Sequence, residues 1–152
     1  MGVSIRFPSK TLDCGYFGFK KLRDSILNHV PHKKLHEVYD DVQNHLFIFD
    51  ADEKKKFYED VNKKINDMEY LANEGSTKEE KIFLNLFCNF FWASDCEAKM
   101  KPAHAKAIWH YIENATEDFR FGYSARPDCS TFQQFKQCIK ECVDNNKGFY
   151  WF

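Results

Sequence analysis

Three cysteines near the C-terminal end, Cys129, Cys138 and Cys142, have the types and spacing that metal chemistry asks for. Cys138 and Cys142 are four residues apart, so on a helix they share a face, and Cys129 comes just before that helix. Joined in space by Cys96 or a histidine, they would make a zinc site. Zinc sites are usually built on a tight Cys-x-x-Cys knuckle, however, and the chain has none. Cys138 and Cys142 also border an apolar face, where a reduced cysteine packs as a small hydrophobe. The expectation is structural thiols, with no metal and no cofactor. Spacing alone leaves open whether the three converge with another ligand.

His32 and His36 are i and i+4, the spacing of a helical metal pair, but two lysines and a leucine stand between them in place of the glutamate of a zinc-protease helix. The positive charge of Lys33 and Lys34 opposes a cation there, and a surface position is expected. Asp95, Glu97 and Lys99 offer a different set. Read as a calcium loop, the stretch fails, because Lys99, Met100 and Lys106 occupy places that need an oxygen ligand, a glycine and a bidentate glutamate. Read as the carboxylate–lysine set of a nuclease it keeps two acids and a base, though such sets ride on strands and the surroundings here read as helical. The chain has no Gly-x-Ser-x-Gly elbow for a nucleophile and no glycine-rich phosphate loop.

The remaining candidate is not catalytic. Residues 119–132, FRFGYSARPDCSTF, hold two of the four arginines, three phenylalanines, a tyrosine, a glycine and a proline. Phe119, Phe121 and Tyr123 alternate as an extended segment would, beside the terminal strands, and Pro127 favours extended geometry at Ala125 and Arg126. Arginine and tyrosine are enriched at interface hot spots, where lysine is depleted. Arg120, Tyr123, Arg126 and Asp128 are therefore the expected partner-binding residues. The structural alternative is that the rings plug the core and an Arg126–Asp128 pair pins the loop.

These residues must be held by elements that the hydrophobic pattern outlines. Val3, Ile5 and Phe7 alternate with polar residues up to Pro8, which predicts a short strand. Helical faces follow: Phe19, Leu22, Ile26 and Val30; then Leu35, Tyr39, Val42, Leu46 and Phe49; then Phe57, Val61, Ile65, Met68 and Ala72, opened by Asp50 and closed at Gly75. Between Ile82 and Trp92 only Asn85 and Asn89 are polar, which predicts a buried central helix. Pro102 starts a fifth helix with Ala105, Ile108, Trp109 and Ile112 inward. A Ser130-x-x-Gln133 capping box, or Asp128, is expected to start a sixth, which Asn146 and Gly148 close. The apolar tail Phe149–Phe152 needs cover and predicts a strand beside the N-terminal one.

The expected fold is therefore mainly α, in the α+β class. About six helices surround a nearly all-apolar central helix, and a small sheet pairs the two ends, in one domain over residues 1–152. A chain of 152 residues with 43% hydrophobic and 30% charged residues has the make-up of a globular domain. Lys+Arg of 22 against Asp+Glu of 23 leaves a formal charge of −1, without the cationic excess of a general nucleic-acid binder. No stretch of 18 apolar residues predicts a membrane span, and no secretory signal is visible, so a cytoplasmic protein with reduced thiols is expected. The reading of function is a cytosolic, non-enzymatic protein-binding module, of the toxin-immunity, mobile-element inhibitor or regulatory adaptor type. The alternative is a small metal-dependent hydrolase or nuclease-like enzyme using Asp95, Glu97 and histidines.

Overall fold

The computed structural model describes residues 2–31, 33, 36–37, 39–40, 50–73, 77–91, 93, 96–123 and 129–152. The chain divides into two compact units, one of Met1–Val30 with Ala93–Phe152 and one of Pro31–Trp92.

The first unit is built on a four-stranded antiparallel sheet: β1 (Val3–Arg6), β2 (Thr11–Cys14), β3 (Ala98–Met100) and β4 (Phe149–Trp151), in the order β2-β1-β4-β3. The turn at Pro8 and Ser9 folds β1 back on β2, closed by the Phe7 N–H donating to the Lys10 carbonyl at 2.8 Å. Alternation along each strand sends Val3, Ile5, Leu12, Cys14, Met100, Phe149 and Trp151 into the core and leaves Arg6, Thr11, Lys99 and Tyr150 outside. Among the described residues this unit carries the helices α1 (Tyr16–Asn28), α4 (Pro102–Ile112) and α5 (Phe132–Asp144). Helices α4 and α5 pack along each other. Rings fill the space between helices and sheet: Phe135 meets Phe7 edge-on at 5.8 Å, and Phe19 lies 5.1 Å from Trp151.

The second unit contains α2 (Ala51–Asn73) and α3 (Lys78–Leu86), which continues as a π-helical turn over Phe87–Phe91; residues 33, 36–37 and 39–40 are helical as well. Asp50 starts α2 as its type and place predict: its Oδ1 accepts from the backbone N–H groups of Asp52 and Glu53, both at 3.0 Å. Tyr39 and Phe90 each meet Phe91 edge-on, at 5.6 and 5.3 Å. No helix among the described residues is long and apolar enough to cross a membrane.

The expected mainly α arrangement is corrected in two ways. First, the terminal strands do pair, Ile5 opposite Trp151 and Arg6 opposite Tyr150, but as the inner pair of a four-stranded sheet rather than as a small tie between the ends. The fold is α+β. The outer strands β2 and β3 have four and three residues, too few for alternation to stand out from the surrounding helical pattern. Second, the described residues include no central all-apolar helix. Lys78, Glu79 and Lys81 of α3 are exposed and Ile82 is half-buried, so its first turns are one-sided. At Phe87 the hydrogen-bond spacing widens to i→i+5, which turns the following residues off the α-helical stripe. The run also belongs to the second unit, where its Leu86 and Phe90 are fully buried, whereas Trp151, Phe19, Phe121, Phe132 and Phe135 are fully buried in the first.

The start of α4 carries a pH-sensitive cap. The Lys101 backbone N–H donates to Nδ1 of buried His104 at 2.9 Å, which needs an unprotonated ring nitrogen. Burial first, and the Lys101 charge second, hold the His104 pKa below its ordinary 6.5. A histidine depressed in the folded state adds stability that is complete above the unfolded value and is lost as pH falls through the lower folded one. Urea midpoints are therefore expected to drop on acidification below about pH 6.5, with a shallower drop in His104→Gln. An unchanged slope in that variant removes His104 from the pH response.

Candidate partner-binding surface

The residues around Arg120 are held by a short antiparallel pairing. Arg120 bridges to Thr131, the N–H groups of Phe121 and Gly122 both donate to the Ser130 carbonyl at 2.9 and 3.0 Å, and the Phe132 N–H donates to the Phe119 carbonyl at 2.9 Å. The extended geometry expected from the alternation is present. Its partner is the segment 130–132, however, rather than a terminal strand, because the chain doubles back at the start of α5. Phe121 points into the core, Phe119 lies half-buried 5.1 Å from Phe132, and Arg120 points out.

Two bare glycines allow this segment to sit where it does. A Cβ on Gly122 would lie 2.4 Å from the Ser130 nitrogen, and one on Gly18 in the first turn of α1 would lie 1.9 Å from the Phe121 carbonyl oxygen. Helix α1 is thereby docked directly on the backbone of the segment. Lys21, one turn further, donates to the Arg120 carbonyl at 3.4 Å and holds its ammonium 5.0 Å from the Phe119 ring.

The result is a surface of mixed chemistry. Phe17 is 92% exposed, and Lys21 stands four residues on along the same helix face. Among the described residues no hydrogen bond or ion pair engages the Arg120 guanidinium, which is exposed. Tyr123 is partly exposed, with its hydroxyl over Gly2. With Asp13, Ser130 and Gln134 it lines a cavity of about 100 Å³, room for a few waters. Of the expected partner-binding residues, Arg120 and Tyr123 thus stand exposed on the same short segment, three positions apart. Arg126 and Asp128 lie outside the described residues. Hydropathy gives no hint of Phe17, since an apolar residue off the helical stripe reads as an isolated exception.

The cap of α5 is shifted by one residue from its expected place. Thr131, not Ser130, is the N-cap: its Oγ1 accepts from the Gln134 N–H at 3.3 Å, and Gln134 Oε1 accepts from the Thr131 N–H at 3.1 Å. Ser130 is committed elsewhere. Its carbonyl carries the pairing with residues 121 and 122, and its Oγ donates to the Asp13 carbonyl at 3.1 Å.

The metal-type residues have different surroundings. Cys129, Cys138 and Cys142 are buried, and among the described residues no three His, Cys, Asp or Glu side chains gather to hold an ion. Burial pushes the thiols of Cys138 and Cys142 up to about 11, and that of Cys14 to about 12. They are protonated at neutral pH and are poor nucleophiles there. His32 lies outside the described residues, and His36 sits on a helical stretch of the second unit. His29 instead donates from Nε2 to Glu117. Partial burial works to raise the Glu117 pKa, but the hydrogen bond from His29 and two backbone hydrogen bonds outweigh it and lower the carboxyl below its usual value. Asp95 also lies outside the described residues. Glu97, just before β3, and Lys99 within it are exposed, so the expected helical surroundings are corrected to a strand and the residue that leads into it.

One buried charge escaped the sequence reading. Arg23 is 3% exposed, its guanidinium 4.3 Å from the Phe19 ring and 5.5 Å from the Trp151 ring, with Nη2 donating to the Ala93 carbonyl at 3.0 Å. The available signal was its i+4 spacing from Phe19 on an otherwise apolar face.

Comparison with family models, curated proteins and solved structures returns no match.

Proposed function

We propose that the protein is a non-enzymatic, cytoplasmic protein-binding module, working as an immunity protein, an inhibitor or a regulatory adaptor does, by occupying a partner's surface. Phe17, Lys21, Arg120 and Tyr123 are the contact residues. The observation that supports this most is the Phe17 ring, almost wholly in water on the helix that docks against the Arg120 segment. A single exposed apolar residue is ordinary. Here the ring stands on a helix whose Gly18 and Lys21 meet the segment that carries Arg120 and Tyr123, and aromatic residues and arginine are the types enriched at protein interfaces. The near-neutral charge of the chain agrees with a protein partner rather than with a general nucleic-acid one.

The test is partner capture from the native cell, followed by titration of the identified partner. Arg120→Ala is expected to weaken binding by about 2 kcal/mol, roughly 30-fold, and Arg120→Lys to restore little, since a point charge does not replace a planar fork. Phe17→Ala should have a comparable effect. Both residues are exposed, so melting temperatures should stay close to the parent. Normal affinity in both variants overturns the assignment of this surface.

A further inference from the structure

The outer face of the sheet carries its charges and rings in two rows. Strand register sets Thr11, Arg6, Tyr150 and Lys99 opposite one another across β2, β1, β4 and β3. The reciprocal Ser4–Phe152 backbone hydrogen bonds, 3.0 and 3.2 Å, place Phe152 beside Ser4, and Glu97, two residues before Lys99, falls on the same face. The second row is thus Asp13, Ser4, Phe152 and Glu97, with the Ser4 Oγ donating to Asp13 Oδ1 at 2.6 Å. Tyr150 and Phe152 are 43% and 49% exposed, their rings stacked with centroids 6.2 Å apart, and the Arg6 guanidinium stands 4.7 Å from the Phe152 centroid. Glu97, Lys99, Tyr150 and Phe152 line an open groove of about 670 Å³.

We propose that this face is an interface with a second copy of the chain, the two sheets packed face to face about a two-fold axis that runs parallel to the rows and midway between them. That rotation exchanges the rows. Lys99 then meets Glu97 of the second copy and Glu97 meets its Lys99, while Tyr150 faces Phe152 in both directions. Each contact occurs twice, as an isologous interface requires. The pattern is self-complementary in charge at Lys99 and Glu97, Arg6 and Thr11 meet the hydrogen-bonding Ser4 and Asp13 of the second copy, and the two rings form the apolar part between them. The same pattern disfavours a nucleic acid, because Glu97 stands in the row of the more exposed ring and would repel phosphate. Four strands spaced about 4.8 Å apart, with three or four residues each, make a face of only about 200 Å² in plan, so the dimer is weak and concentration-dependent.

Sedimentation equilibrium of the full chain at low salt, from about 5 to 500 µM, is the experiment. A monomer–dimer equilibrium is expected, weakened by added salt. Lys99→Glu and Glu97→Lys should each weaken it at least ~10-fold through like-charge contacts, and the double variant Lys99→Glu/Glu97→Lys should return to within about 3-fold of the parent. Thermal melts of the three variants establish that each is folded. A monomer throughout the range overturns the proposal. So does a dimer indifferent to the single reversals, or a double variant no better than either single. Saturable binding of a single-stranded oligonucleotide that Tyr150→Ala abolishes also overturns it. Arg120 and Phe17 take no part in these contacts, so the outcome is independent of the surface assigned to the protein partner.

Discussion

Deleting Phe149–Phe152 is expected to unfold the sheet-bearing unit. β4 is an inner strand, paired with β1 on one side and β3 on the other, so its loss breaks the sheet in the middle. It also removes two buried rings. Trp151 packs on Phe19 at 5.1 Å, and Phe149 stacks on Phe7 at 5.0 Å. Truncating large buried aromatics costs about 3–5 kcal/mol each, and a domain's whole stability is about 5–15 kcal/mol. Amide protection in β1 and α1 should therefore fall to unfolded levels. Trp151→Ala alone should retain the fold with about 3–5 kcal/mol less stability by urea titration. A truncated chain that melts within a few degrees of the parent would mean that β4 is dispensable.

Gly18→Ala is the second large effect, and its sign is the informative part. In an exposed helix interior, alanine in place of glycine gains about 0.5–1 kcal/mol. Here the added methyl would lie 1.9 Å from the Phe121 carbonyl oxygen and 3.4 Å from the Cys14 Cβ. The first neighbour is backbone, held by the hydrogen bonds that tie residues 121 and 122 to Ser130, so it cannot swing aside as a side chain would. Overpacking of this kind typically costs about 1–3 kcal/mol, more than the gain in helix propensity. Chemical denaturation should show net destabilisation. Partner affinity should fall as well, since α1 carries Phe17 and the displaced segment carries Arg120. A stabilised variant would refute the close docking of α1 on the segment.

Much of the local structure was legible in the residues themselves. The Phe19, Leu22 and Ile26 stripe, the Asp50 cap, Pro102 at a helix start and the alternation of Val3 and Ile5 are each specified by neighbours a few positions away. The side chains there satisfy their own backbone or one continuous apolar face. The paired ends were legible too, because an apolar tail such as Phe149–Phe152 is costly to leave in water. Other features depend on segments far apart in the chain, and local periodicity does not encode them. Strands β2 and β3 are too short to show a pattern, and they exist as strands because β1 and β4 offer them hydrogen-bonding edges. The apolar run after Ile82 looks like the centre of a core, but its π turn and its place in the second unit are settled by packing. Ser130 has the chemistry of a cap, yet Thr131 takes that role because the Ser130 carbonyl is already bound by two N–H groups from residues 121 and 122. The candidate surface was half legible. Residue type singled out Arg120 and Tyr123, while the docking of Gly18 on Phe121 decided that the helix carrying Phe17 and Lys21 packs on their segment. The two rows on the sheet belong wholly to the tertiary structure, since register alone puts Lys99, Tyr150 and Arg6, residues from three distant parts of the chain, in line.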